Sequence, residues 1–88
     1  METRIALIGI MVEDPACVER TNDLLHEYAE YIVGRMGIPY RTRNVNIISV
    51  VLDAPESAVS ALSGKLGMLE GVSVKAVYSK ATGTGEAQ

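Results

Sequence analysis

Arg4-Ile5-Ala6-Leu7-Ile8-Gly9-Ile10-Met11-Val12 is a continuous apolar run of strand length, closed by the turn-forming residues Glu13-Asp14-Pro15. Strand side chains alternate between two faces, so Ile5, Leu7 and Met11 share one face and Ala6, Ile8, Ile10 and Val12 the other. A second run, Asn44 to Leu52, is rich in the β-branched residues Val45, Ile47, Ile48, Val50 and Val51. It divides in the same way: Val45, Ile47 and Val51 oppose Ile48, Val50 and Leu52. Both strands are apolar on both faces, the pattern of a sheet covered on two sides rather than one.

Working outward, Asp14 is a good N-cap and Pro15 suits a first helical position, which predicts a helix starting there. Its apolar stripe runs through Cys17/Val18, Thr21, Leu24/Leu25, Tyr28/Ala29 and Ile32, with Glu19, Asp23, Glu27 and Glu30 on the opposite face. The helix is expected to stop at about Ile32, where Gly34 and Gly37 follow or a short strand begins. Asp53-Ala54-Pro55-Glu56 predicts a second helix start, with an acidic cap, an early proline and a glutamate three residues after the cap. That helix turns Val59, Leu62 and Leu66 inward, and Gly67 is expected as its C-terminal cap with Lys65 near its negative end. Val72 to Tyr78 reads as a final strand.

The order is strand, helix, a short strand in or beside Gly34–Arg43, strand, helix, strand. This predicts an α+β fold: a ferredoxin-like βαββαβ sandwich, with a four-stranded antiparallel sheet and two helices on one face. The first and third strands are central, and Pro39 is tolerated because it lies at an edge. Residues 1–80 form one domain, and the small polar segment 81–88 is expected to be a disordered tail.

Two helices cover one sheet face, so the other exposes several large aliphatic side chains that soluble monomers seldom tolerate. Long loops or the tail are the alternative cover, but the tail is too polar. At 88 residues a lone protomer buries only about 60–65% of its unfolded surface. We therefore expect the bare face to lie against another protomer, in a homodimer or homotetramer.

Composition narrows the function. Hydrophobic residues make up 48%, charged residues 22%, and the net charge is -3. With this acidity and no Phe or Trp, nucleic-acid binding by the domain itself is not expected. No apolar run approaches the roughly 20 residues of a membrane span, and no signal-peptide pattern precedes the first strand, which predicts a cytoplasmic protein without membrane attachment. The single cysteine, Cys17, excludes an internal disulfide. Cys17 and the single histidine, His26, would need other chains to hold a metal, so no metal or cofactor is predicted. No catalytic set emerges, and enzymatic activity is not expected. Ser63-Gly64-Lys65-Leu66-Gly67 lacks both the upstream glycine and the Ser/Thr after lysine that a phosphate loop requires.

The candidate site is Gly34-Arg35-Met36-Gly37-Ile38-Pro39-Tyr40. Glycine and proline shape a defined backbone path beside a fixed cation. Between Tyr31 and Leu52 there is no acidic residue, while Arg35, Arg41 and Arg43 all fall there. Arg41 and Arg43 read as solvated; Arg35 is expected to make a structured contact, with either a ligand or an intersubunit carboxylate. The expected pocket lies between protomers: Glu13 and Asp14 of one face Gly34, Arg35, Met36, Gly37, Pro39 and Tyr40 of its neighbour, with Arg35 holding a small anion.

Four blocks carry a family resemblance: Gly34 to Tyr40, Asn22-Asp23-Leu24-Leu25-His26, Ser63 to Gly67, and Gly71-Val72-Ser73-Val74-Lys75. In order and spacing the chain resembles the iron-only hydrogenase system regulators, over about Arg4 to Ser79. The resemblance implies a stand-alone ACT-like domain, similar to the C-terminal sensor domain of the nickel-responsive repressor. Such domains oligomerise and bind small effectors, often amino acids, between protomers. This sequence has no ribbon-helix-helix segment before its first strand and no sheet histidines to hold nickel, so direct repression and nickel sensing are not expected. The implied role is a regulatory, ligand-sensing module of iron-only hydrogenase systems. The alternatives are a scaffold for hydrogenase maturation proteins with no small ligand, and metal delivery through His26 or Cys17 of several protomers.

Overall fold

Why the two central strands take their places follows from their pleat. The computed structural model describes residues 2–83. Its strands are β1 (Thr3–Val12), β2 (Ile32–Tyr40), β3 (Val45–Ala54) and β4 (Val72–Gly83), and its helices are α1 (Val18–Glu27) and α2 (Glu56–Gly67). They form one antiparallel sheet in the order β2-β3-β1-β4, so the first and third strands are central as expected. Along β1 burial alternates strictly from Ile5 onward. Ala6, Ile8, Ile10 and Val12 are buried with Ile48, Val50, Leu52 and Ala54 of β3, beneath Leu25 of α1 and Val59, Leu62 and Leu66 of α2. The fold is the ferredoxin-like sandwich, with both helices on one face.

Several local expectations are corrected. Asp14 does cap, its carboxylate accepting from the Ala16 N–H at 3.0 Å, but Pro15–Cys17 forms a 3-10 turn before α1 begins at Val18. The first helix ends at Glu27, earlier than Ile32, because Ile32 is claimed by the sheet as the partner of Leu52. The strand that follows is nine residues long rather than short. Asp53 is not a helix cap: it pairs with Ile5 inside β3, and Pro55 takes the N-cap position without a side-chain bond. Gly67 is the last helical residue, and the C-cap is Met68 in ordinary right-handed geometry. β4 runs to Gly83, beyond the start expected for the tail, because Thr82 and Gly83 find backbone partners in Arg4 and Thr3. The rest of that tail, 84–88, lies outside the described residues.

One interlock joins the two chain reversals at the same end of the sheet. Gly71 has φ 77, and a Cβ there would lie 2.6 Å from the Cβ of Asp14. The Glu13 N–H donates to the Gly71 carbonyl at 2.7 Å, and the Cys17 thiol donates to the Glu70 carbonyl at 2.8 Å. Both the left-handed conformation and the close approach demand glycine. Replacing Gly71 with alanine is therefore expected to destabilise the fold by about 1–3 kcal/mol. A urea melt of Gly71→Ala with an unchanged midpoint would contradict this account.

Candidate functional site

The segment Gly34–Tyr40 is a regular edge strand, and regularity divides it. Paired residues share a face, so Gly34, Met36, Ile38 and Tyr40, opposite Val51, Ser49, Ile47 and Val45, lie on the helix-free face. Arg35, Gly37 and Pro39, opposite Val50, Ile48 and Asn46, lie on the side of α1. A register shift between Ile32 and Gly34 sets this parity: one extra residue, Val33, stands unpaired, so Ile32 packs against the core while Gly34 faces away.

The eight expected site residues therefore fall into four places. Arg35, Gly37 and Pro39 line a cleft of about 200 Å³ with Val18, Asn22 and Asn46. There the Arg35 guanidinium donates to Asn22 Oδ1 at 2.9 Å. Glu13 and Tyr40 meet in a second depression with Arg43, at the end of the helix-free face. Gly34 and Met36 lie farther along that face. Asp14 is half-buried and its side chain is engaged at the start of the Pro15–Cys17 turn. Within one chain, Glu13 is brought to Tyr40, and Arg35 is kept apart from both on the opposite side of β2.

Charge distribution gives Arg35 its character. Among the described residues the ion pairs are Arg4 with Glu56 and Lys65 with Glu27, and no carboxylate reaches Arg35. A guanidinium has five N–H donors in a planar fork, and one neutral amide oxygen leaves most of them to solvent. Asn22 and Asn46 were not among the expected site residues. Asn22 lies one helical turn after Val18, which also lines the cleft, and that spacing is the signal that could have placed it beside the strand.

The other titratable side chains have structural partners or none. Lys65 lies over the Tyr28 ring at 5.1 Å and 3.7 Å from Glu27. Its pKa is raised above the ordinary lysine value, first by the Tyr28 hydroxyl and then by Glu27, so it remains an ammonium. Arg4 lies over Tyr78 and bonds both Glu56 and the Ser79 carbonyl, tying the start of β1 to α2 and β4. Cys17 is buried, His26 is exposed, and among the described residues no group of three potential metal ligands comes together.

A family model described as TM1266-like, iron-only hydrogenase system regulator, matches residues 4–76. Among solved structures, the uncharacterized protein TM1266 from Thermotoga maritima superposes with a TM-score of 0.85 at 39% identity, covering 89% of this chain and 99% of that one. The apo form of CPII, a nitrogen regulatory PII-like protein from Thiomonas intermedia K12, is more distant, with a TM-score of 0.49 at 17% identity over 90% of this chain and 95% of that one. CPII bound to ADP, AMP and bicarbonate gives 0.43 at 21% identity, over 90% and 98%. No curated protein is significantly similar to the chain. The family model and the Thermotoga maritima structure agree over most of the length, and the chain belongs to the TM1266-like family of iron-only hydrogenase system regulators.

Proposed function

We propose that this regulator is a non-enzymatic sensing module that works as an assembly of its own copies and receives a small anionic effector, such as an amino acid, at a seam between them. The observation that carries the reading is Arg35: an exposed guanidinium at the mouth of a cleft, held by a single neutral acceptor, with no carboxylate of the described residues in reach. An incoming carboxylate would gain a charge-assisted, bidentate partner there. In this reading Gly37 and Pro39 shape the wall around Arg35, Gly34, Met36 and Tyr40 hold the other side of the same strand, and Glu13 and Asp14 of a neighbouring copy complete the site. The polar pair Asn22 and Asn46 supplies further hydrogen-bonding groups beside the anion.

A thermal-shift screen of amino acids and small carboxylates tests this. At least one compound is expected to raise Tm in the native protein, with the shift lost in Arg35→Ala and partly kept in Arg35→Lys. An effector that stabilises Arg35→Ala as well as the native chain would place its site elsewhere.

A second reading, a scaffold for hydrogenase-related proteins, is favoured by a different surface. Met68 is 86% exposed, beside a groove of about 610 Å³ lined by Leu24, Leu69, Arg20, Asp23, Glu27 and Lys65 on the helical layer. An exposed methionine beside half-buried leucines is a usual adaptable contact for a protein partner. If this reading holds, hydrogenase-related proteins co-purify with the native chain from a hydrogenase-producing cell and are lost with Met68→Asp. Equal recovery with both chains would remove this groove from consideration.

A further inference from the structure

The register gives the helix-free face a relief. In one row across the sheet Leu7 stands between Val51 and Val77; in another Met11 stands between Ile47 and Ser73. The row between them is Ser49, Gly9 and Lys75, so the centre of the face carries no side chain at all. The result is a trough of about 450 Å³ across the middle of the sheet. Same-face rows are about 6.7 Å apart, so one missing side chain leaves a slot the width of one aliphatic side chain.

Among the described residues nothing calls for the glycine. A Cβ at position 9 would meet nothing within 4 Å, and Gly9 does not have a positive φ. Glycine weakens a strand interior through lost entropy and absent packing. The protomer by itself would be better served by almost any β-former at the centre of its central strand, so the open space serves something outside the chain.

We propose that a second copy packs on this face about a twofold axis beside Gly9, with ridge side chains of each copy, Leu7 or Met11, seated in the trough of the other. This rests on the reading that the module works as an assembly through its bare face, and adds what sets the approach and the axis of the two copies there. Four strands about 4.8 Å apart and eight residues long at about 3.3 Å each make a face of about 500 Å² in projection. Its corrugated accessible area is larger than this projection, to be set against the roughly 800 Å² per partner of a standard interface. The exposed apolar side chains run from Leu7 at 43% to Val77 at 64%, spread over the whole face rather than gathered at one end. A twofold contact uses one patch twice, and a ridge beside a matching slot is self-complementary in that sense. Lys75 sits on the edge strand β4 at the end of the trough, where its ammonium reaches solvent at the rim and no charge need be buried.

The test is sedimentation equilibrium at micromolar concentration on the native chain, Gly9→Val and Ser60→Glu. The native chain is expected above its 9.4 kDa protomer mass, and Ser60→Glu, altered at an exposed position of α2, is expected to match it. Gly9→Val is expected to keep the native circular dichroism while its association weakens at least about tenfold. If Gly9→Val fails to fold, Val77→Lys on the same face must produce the same weakening in a folded chain. A folded Gly9→Val that associates like the native chain overturns the inference, as does a native chain that sediments as a protomer. A small molecule or another protein that occupies the trough while the copies stay apart also overturns it. Effector sensing is judged separately: an Arg35-dependent thermal shift in a chain indifferent to Gly9→Val sinks this interface alone, whereas Gly9-dependent association without such a shift sinks the sensing reading alone.

Discussion

Everything in this small protein follows from the pleat of β1. Its residues are apolar on both sides, and a strand can turn only every second one toward the two helices. Once Ala6, Ile8, Ile10 and Val12 are buried, Ile5, Leu7, Gly9 and Met11 must face the other way. β3 repeats the pattern beside it. Burying a large aliphatic side chain is worth about 1.5–3 kcal/mol, so the core-facing set holds the sheet to the helices. The opposite set is left on a surface that water penalises.

The two reversals at one end of the sheet convert this layered core into a single closed unit. Asp14 caps the turn into α1 while its backbone presses against Gly71 at the start of β4, and Cys17 reaches across to the Glu70 carbonyl. Cysteine serves here as a small buried side chain with a weak donor. At the opposite end Arg4 draws together β1, α2 and the irregular stretch of β4, where the register shifts between Arg4 and Ala6. The domain is thus fastened at both ends, and its two broad surfaces remain free for recognition.

Those surfaces differ in chemistry. The helical layer carries the acidic side chains of α1 and the exposed Met68, whereas β2 and the turn after it carry Arg35, Arg41 and Arg43 and no acidic residue of their own. Arg35 stands at the boundary, on the edge strand but on the α1 side. The domain thus has one apolar face, one cationic edge, and a helical layer that is acidic along α1 and carries an exposed methionine. Membership in the TM1266-like family places these surfaces in the context of iron-only hydrogenase systems.

The amino-acid order by itself determined the element sequence, the central positions of β1 and β3, the inward set Val59, Leu62 and Leu66, and the presence of a bare apolar face. Each depends on periodicity or composition within a short window, and such local signals survive without knowledge of the rest of the chain. Only the tertiary structure decided where α1 ends, that Asp53 belongs to a strand, that Gly71 rather than Gly67 takes the left-handed conformation, and that Val33 is bulged. The same holds for the side of β2 on which Arg35 lies and for its partner Asn22. These outcomes turn on cross-strand pairing and close contact between residues far apart in the chain: Ile32 with Leu52, Asp53 with Ile5, Gly71 with Asp14. Local propensity carries no information about such partners.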